Sequence, residues 1–522
     1  MARYKPVEYA QGQFISIAFE HQILPGSFEH ALSFIVDNKV DFSKLDGVRR
    51  NDDGGAPAYD PRVMLKIVLC AYARGLLSSR EIAAACEQNV VMMALSANTR
   101  PHFTTIARFI SDMGDAAQTL FVDVLMYCDE MGLIGKEMFA VDGCKMSSNA
   151  SKEQSGTRAD FENRRDKFRA RVDQLVRKHR MSDKTGEQEL IGGMRAREEK
   201  AIETLKAKAD KIDRWLRENP NDRKGSRGTP IKSSITDADS AKMVSGHGVV
   251  QGYNGIAMVD AKHQVIVGAG AFGKGHDAEL LQPIVDQVRE NFNALGDQDI
   301  YRKAKLTADT GFHTEESIKM LSERGVDGYV PDKHFRRRDP AFTTAPRHRS
   351  RKALIGRSVP PDLDQFHADD FVLDSTNTRL ICPAGNHLYA KASNFINNKG
   401  FLVTQYMARK TDCRVCSLRL KCLRKPASSQ PRSVTKFHGR QDANESLSHS
   451  RRMIAKIETA AGRFLYSMRM GIVEPVFANL CHMLGLDRLT LRGNIKVNVQ
   501  WRLFTVVHNL LKIHRFAWTG SG

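Results

Sequence analysis

The run Met138-Phe139-Ala140-Val141 is apolar, has no helical period, and ends on Asp142 and Gly143. Such a run fits a buried strand of about five residues, and a carboxylate where a buried strand emerges is costly unless it coordinates something. Asp142 is therefore a candidate for chemistry. On these residues alone an ordinary Asp-Gly turn after the strand stays open, because that dipeptide is also common turn chemistry. The choice depends on partners elsewhere in the chain.

A chain of 522 residues that is 41% hydrophobic can bury several cores, so roughly two to four structural units are expected. Lys and Arg number 79 against 60 Asp and Glu, a net charge of +19, and that excess points to a polyanionic partner, nucleic acid above all. No apolar run approaches the ~18 residues of a membrane span, and Met1-Ala2-Arg3-Tyr4-Lys5 lacks the apolar core of a signal peptide. A cytosolic, nucleoid-associated protein is expected. Of nine cysteines, Cys70, Cys86, Cys128, Cys144 and Cys481 lie in apolar or helical surroundings, where a reduced thiol packs as a small hydrophobe.

Residues 1–135 read as a helical N-terminal DNA-binding domain. An apolar stretch through Leu65, Ile67, Val68 and Leu69 ends at Gly75, and Ser78-Ser79 with Glu81 caps a following helix to Gln88. A second pair has Pro101 and a Thr104-Thr105 cap before Ile106 to Ile110. Helix-turn-helix units and an ordinary helical bundle are both compatible with this pattern. From Ser151 to Gly228 the chain carries 22 Lys and Arg against 15 Asp and Glu, with apolar residues at helical spacing around Phe168 to Val176 and Ile202 to Leu216. That is a charged helical hairpin, either a solvated face or a DNA-touching arm.

Strand signals resume at 249–260 and 264–270, joined by a turn at Ala261-Lys262-His263. A helix from Asp277 to about Leu295 follows, then a strand Lys305 to Ala308 ending on Asp309 with Gly311 close behind, a helix 315–323 and a strand at 328–330. The pattern is mixed α/β. It resembles the order of an RNase H-like domain, and that resemblance implies that Asp142 and Asp309 emerge from adjacent strands. Residues 136–331 would be the first part of that core and 446–522 its helical C-terminal part, with a basic, irregular, Cys-rich insertion over 332–445 that includes Arg336-Arg337-Arg338 and Arg347 to Lys352. In the last segment Pro475 suits the first turn of a helix, with Glu474 at that helix's N-terminal edge.

Phosphodiester cleavage and joining need an activated oxygen nucleophile and a stabilised leaving oxygen, which two divalent ions ~3.5–4 Å apart can supply. Mg²⁺ or Mn²⁺ takes hard oxygen ligands, and Asp142, Asp309 and Glu474 would provide them. Asp260, Asp332 and Glu458 are the weaker rivals: a hairpin-turn residue, a strand end beside Pro331, and a charged helix face.

Gly55-Ala56-Pro57-Ala58-Tyr59-Asp60-Pro61, the segments 75–82 and 105–109, Val141-Asp142-Gly143, Ala308-Asp309-Thr310-Gly311, Val473-Glu474-Pro475-Val476-Phe477, Arg492-Gly493 and His508 to Lys512 occur in the order of a known family. On these motifs the chain resembles bacterial insertion-sequence transposases of the IS1182 group, within the IS4-like DDE transposases. The resemblance implies nicking of double-stranded DNA at the terminal inverted repeats of an element. It further implies direct transfer of the 3′-hydroxyl to target DNA, and acting on two DNA ends calls for at least a dimer, so a homodimer on DNA is expected. It also implies that Tyr466 and Arg469 contact DNA phosphate. Two departures stand out: Arg469 lies five residues before Glu474, one more than in many relatives, and Cys481-His482 occupies the region where relatives carry a Lys. The alternative function is a decayed or domesticated transposase that only binds specific DNA; a third is an RNase H-like nuclease without transfer.

Cys382 begins a knuckle-like turn, Cys413 and Cys416 have the two-residue gap that lets two thiolates share an ion, and Cys422 would complete a four-sulfur set. Structural Zn²⁺ is the expectation, with free thiols as one alternative and disulfides, which a reducing cytosol disfavours, as the other.

Overall fold

The computed structural model describes residues 16–46, 57–185, 192–225, 228–246, 248–338, 366, 368–376, 378–397, 401–423, 425–440 and 448–518. The Gly55-Ala56 pair and the basic run Arg347 to Lys352 lie outside the described residues. The chain divides into two compact units, Met1–Lys333 with Met453–Gly522, and His334–Arg452.

The first unit opens with helices α1 Phe28–Lys39, α2 Pro61–Ala73, α3 Ser79–Gln88, α4 Val90–Leu95, α5 Phe103–Asp112 and α6 Ala116–Glu130. Their starts are written locally. Asp60 accepts from the Arg62 amide ahead of Pro61, and Ser78 with Glu81 forms a reciprocal capping box. At α5 the cap is His102 rather than the expected Thr104-Thr105 pair; its Nδ1 lies 2.7 Å from the Thr104 hydroxyl, so both threonines fall inside the helix.

Strand β1, Met138–Ser147, is followed by the helical hairpin α7 Arg158–Thr185 and α8 Gly192–Glu218, whose partners meet through Phe161, Ile212, Trp215 and Leu216 and through Val172, Leu175 and Ile202. Then come β2 Ala241–Ser245, β3 Gly248–Asp260, β4 Ile266–Phe272, α9 Leu281–Ala294, β5 Lys305–Ala308, α10 Glu315–Glu323 and β6 Asp327–Tyr329. The sheet order is β2-β3-β1-β5-β6, with β4 also on β3. Strand β1 runs antiparallel to β3 and parallel to β5, with Val141 opposite Ala308. Parallel pairing needs a crossover, and α9 and α10 follow β4 and β5 for that reason.

Helices α11 His449–Glu458, α12 Ala460–Ala478 and α13 Asn494–Phe516 complete the chain. Helix α13 is buried on nearly every side, packing on β4 and on α1, α2, α5 and α6. Tyr72 stacks on Phe504 with ring centres 4.4 Å apart, so residues 61–130 share their core with the C-terminal helix. Its polar residues close the outer edge of β4. The Asn509 amide makes two 2.9 Å bonds to Ile266 and the Asn498 amide two 2.8 Å bonds to Ala271. Gln287 and Asn291 of α9 serve Ala269 and Val267 between them. An edge strand's unpaired backbone is thereby satisfied by side chains instead of another strand. No helix among the described residues is long and apolar enough to cross a membrane.

The second unit, expected to be irregular, holds a five-stranded antiparallel sheet: β7 Val372–Leu373, β8 Leu380–Ile381, β9 His387–Ile396, β10 Phe401–Ala408 and β11 Ser433–Arg440, in the order β11-β10-β9-β8-β7. Phe371, Leu380, Leu388, Tyr406, Ala408 and Val434 form its core. Its strands hid from the sequence pattern because β9 shifts register twice, between Ala390 and Ala392 and between Ala392 and Phe395, which breaks the alternation of a half-buried strand.

Candidate active site

Met138 to Val141 are buried and Asp142 is the first partly exposed residue of β1. Because Val141 pairs with Ala308 in parallel, Asp142 and Asp309 leave neighbouring strands side by side. Helix α12 packs across β1, β3, β5 and β6 and delivers Arg469 between them. Its Nη1 lies 2.7 Å from Asp142 Oδ2 and its Nη2 3.8 Å from Asp309 Oδ1. The Arg469 side chain is 9% exposed and that of Asp142 26%. Burial pushes the Asp142 carboxyl above its ordinary value, against the lowering pull of Arg469 and the Gly143 amide. Burial also works against the charge of Arg469, but Asp142, Tyr466 and Asp309 outweigh it and hold the guanidinium more firmly protonated. Tyr466, one turn earlier on α12, has its ring 5.9 Å from that guanidinium. Arg469, expected on DNA phosphate, is thus an internal partner of both aspartates.

The glycines beside the two aspartates are there for space. A Cβ on Gly143 would lie 2.4 Å from Ile256 Cδ1 and 2.9 Å from Asn254 Oδ1; one on Gly311 would lie 2.7 Å from Asp277 Oδ2. Asn254 and Asp277 therefore border the aspartate pair, joined by a 2.5 Å bond from Asn254 Nδ2 to Asp277 Oδ1, and the buried Asn254 Oδ1 has no hydrogen-bond partner among the described residues. Sequence reading passed over both. The trace in the sequence is an asparagine within a strand whose following residues, Ile256 to Val259, are apolar, where a buried amide needs a reason.

Glu474 stands inside α12, not at the N-terminal edge of a helix, and it is exposed. Proline in a helix interior leaves the carbonyl four residues earlier without its amide. Here that carbonyl is Gly471, and Gln264 Nε2 donates to it at 3.0 Å. A side chain distant in sequence lets the helix run through Pro475. Downstream, Asn479–Met483 forms a π-helical turn whose Cys481 meets Cys144 of β1 thiol to thiol. That hydrogen bond first, then burial, drives the Cys144 thiol far above its usual range.

No group of three or more His, Cys, Asp or Glu side chains among the described residues is gathered closely enough to hold a metal ion. The expected meeting of Asp142, Asp309 and Glu474 is therefore realised for the two aspartates only. The Arg469 guanidinium occupies the space between them and supplies the countercharge. Asp260, a rival acid, is fully buried and accepts from the amides of Gly135, Lys136 and Lys262, a structural role at the β3 end.

Residues 222–396 match a family model described as transposase DDE domain, residues 381–514 match a second with the same description, and residues 18–112 match transposase domain (DUF772). The chain belongs to the DDE transposases of insertion sequences. No curated protein matches it. DDE transposases are metal-dependent enzymes that cleave and join DNA, and two side chains here have the donor chemistry that such an ion takes. Asp142 and Asp309 are hard oxygen donors, and a carboxylate whose charge burial disfavours gains from an added cation.

The transposase's second unit brings Cys382, Cys413, Cys416 and Cys422 to the wall of one cavity of about 30 Å³. The turn at Cys382 is knuckle-like: the Asn386 amide donates to its sulfur at 3.3 Å and Gly385 has φ +79°. Burial raises the Cys422 thiol, and the other three thiols act on it in the same direction. The expected closed four-sulfur set is likewise not gathered to ligating distance. Cys382, Cys413 and Cys422 pack instead against the apolar core around Phe371 and Leu388.

Proposed function

We propose that this transposase cuts double-stranded DNA at the terminal inverted repeats of its element and transfers the 3′-hydroxyl directly to target DNA. Asp142, Asp309 and Glu474 would be its acidic residues and Tyr466 a phosphate contact. The observation that carries the reading is the pairing of Val141 with Ala308, which sets two aspartates side by side at parallel strand ends. The strand order β4-β3-β1-β5-β6 supports an RNase H-like core, and the quoted motifs support the IS1182 group. Asp142 and Asp309 would hold Mg²⁺ or Mn²⁺ with Glu474 joining them once DNA is bound, and a pair of such ions activates the attacking oxygen and stabilises the leaving one. Arg469 would then turn from the aspartates to the DNA phosphate. Residues 1–135 would read the DNA ends, two copies would act on the two ends, and Cys382, Cys413, Cys416 and Cys422 would hold a structural Zn²⁺.

One observation favours a second reading, a transposase-derived DNA-binding protein that does not cut: Arg469 lies between the aspartates while Glu474 faces solvent. Incubating labelled element-end DNA with Mg²⁺ and either the native protein or Asp142→Ala separates the two. Cleavage lost in the variant with binding kept supports the enzyme. Binding without cleavage by either protein supports the second reading.

A further inference from the structure

Glu474 precedes a proline, and the residue before a proline is pushed away from helical backbone by the ring's Cδ. It is nonetheless helical, so the turn around it is held by contacts outside its own helix. Val473 and Val476 are buried and Phe477 stacks on Trp501, and the polar contacts of this segment converge on one residue. Gln264, in the turn between β3 and β4, donates from Nε2 to Gly471 O at 3.0 Å, the carbonyl that Pro475 leaves unserved. Its Oε1 accepts from Lys512 Nζ at 2.9 Å, and its backbone oxygen accepts from His508 Nε2 at 2.9 Å. The other nitrogen of His508 accepts from Asn479 Nδ2 at 2.9 Å, and Asn479 is the residue that ends α12. The two turns bearing Glu474 are therefore tied at both ends to the same hairpin turn. Gln264 has φ +61°, a conformation where glycine is the usual residue, yet a long side chain stands there.

We propose that Gln264 is the positioning residue for Glu474: it replaces the amide that Pro475 lacks and so sets the helical turn from which Glu474, exposed in this structure, would join the aspartates once DNA is bound. This rests on the reading of Glu474 as the third acid. The pairing of donor and proline makes a specific forecast. Restoring the backbone amide with Pro475→Ala lets residue 475 bond Gly471 within the helix, and Gln264 then becomes dispensable.

The test compares the native protein, Gln264→Glu, Pro475→Ala and the double variant. Gln264→Glu keeps the shape and an acceptor for Lys512 but removes the donor. The readouts are the Mn²⁺ concentration for half-maximal cleavage of labelled element-end DNA, the affinity for that DNA, and amide exchange across residues 470–478. Gln264→Glu should raise the Mn²⁺ requirement about three- to tenfold and speed exchange, with DNA affinity unchanged. The double variant should return to within about twofold of Pro475→Ala. A Gln264→Glu protein with native Mn²⁺ requirement and exchange, or a double variant as impaired as Gln264→Glu alone, overturns the proposal. If Gln264→Glu melts early, Gln264→Leu gives the same comparison without the added charge. Glu474→Gln separates the two readings. If it still cleaves, Glu474 is not in the site, the catalytic part of the proposal falls with it, and the exchange rates alone decide whether Gln264 holds this turn.

Discussion

Arg469 reaches Asp142 at 2.7 Å across 327 positions of sequence, and the same guanidinium lies 3.8 Å from Asp309. A buried carboxylate stripped of its cation is expensive, about 3 kcal/mol when one member of such a pair is removed alone. Arg469→Ala should therefore lower unfolding free energy by about that amount, and Asp142→Asn in the same protein should recover a large part of it. Urea denaturation of the four proteins in this cycle measures the coupling. Additive losses would show that the pair is incidental to stability.

Gly143→Ala asks what the space beside Asp142 is for. The added methyl would press on Ile256 Cδ1 at 2.4 Å, an overpacking that costs about 1–3 kcal/mol and displaces β1 where Asp142 leaves it. Cleavage should fall at least tenfold, as expected for about 1.4 kcal/mol or more of misplacement at the reacting centre, while DNA binding is kept. Ile256→Val removes the clashing carbon and should restore part of the activity. A Gly143→Ala protein with native activity would mean that β1 can yield without moving Asp142.

His508 gives a pH dependence with a definite sign. Burial lowers its value to about 4 from the ordinary 6.5, so between those limits the unfolded chain binds a proton that the folded chain refuses. Stability at pH 7 is undiminished by this group and falls as pH drops through 6.5 towards 4, by about 1.4 kcal/mol per pH unit. His508→Gln keeps a donor for Gln264 and an acceptor for Asn479 and does not titrate. Its loss of stability between pH 7 and 5 should be smaller than that of the native protein by about 2 kcal/mol. Parallel curves for the two proteins would contradict the assignment.

The structural Zn²⁺ proposed for Cys382, Cys413, Cys416 and Cys422 requires the four thiols to close to ligating distance, and metal content tests it. Protein purified without chelator should carry about one Zn²⁺ per chain, and Cys413→Ser should lose it and expose the 334–452 unit to protease. A metal-free native protein whose four thiols react with a thiol reagent while that unit stays protease-resistant would leave them as core thiols.

Much of the first unit was legible because its signals are local. The Ser78/Glu81 box marks a helix start within four residues. The runs 138–141 and 305–308 read as strands because each is short and closed by Asp with Gly nearby, the first of them wholly apolar. The bulged strand β9 was not legible, since its two register shifts erase the alternation on which a strand is recognised. The helix through Pro475 was misjudged for a different reason: local chemistry truly disfavours it, and the compensating donor is Gln264, more than two hundred residues earlier.

By itself, the sequence determined the chemistry on offer: carboxylates closing short strands, a cationic surface, thiols with metal-binding spacing, and capped helices. The strand ends, the caps and the Cys413/Cys416 pair depend on residues within a turn or two of one another, where propensity and hydrogen-bonding capacity act directly, and the charge excess is a plain sum over the chain. The adjacency of β1 and β5 follows from the family-like order of elements and from no local pattern, while only the tertiary structure decided that Arg469 separates the two aspartates and that α13 closes the edge of β4 with amides. Those arrangements join residues hundreds of positions apart. Their outcome depends on which buried polar groups find partners once the core has closed, and no local pattern carries that information.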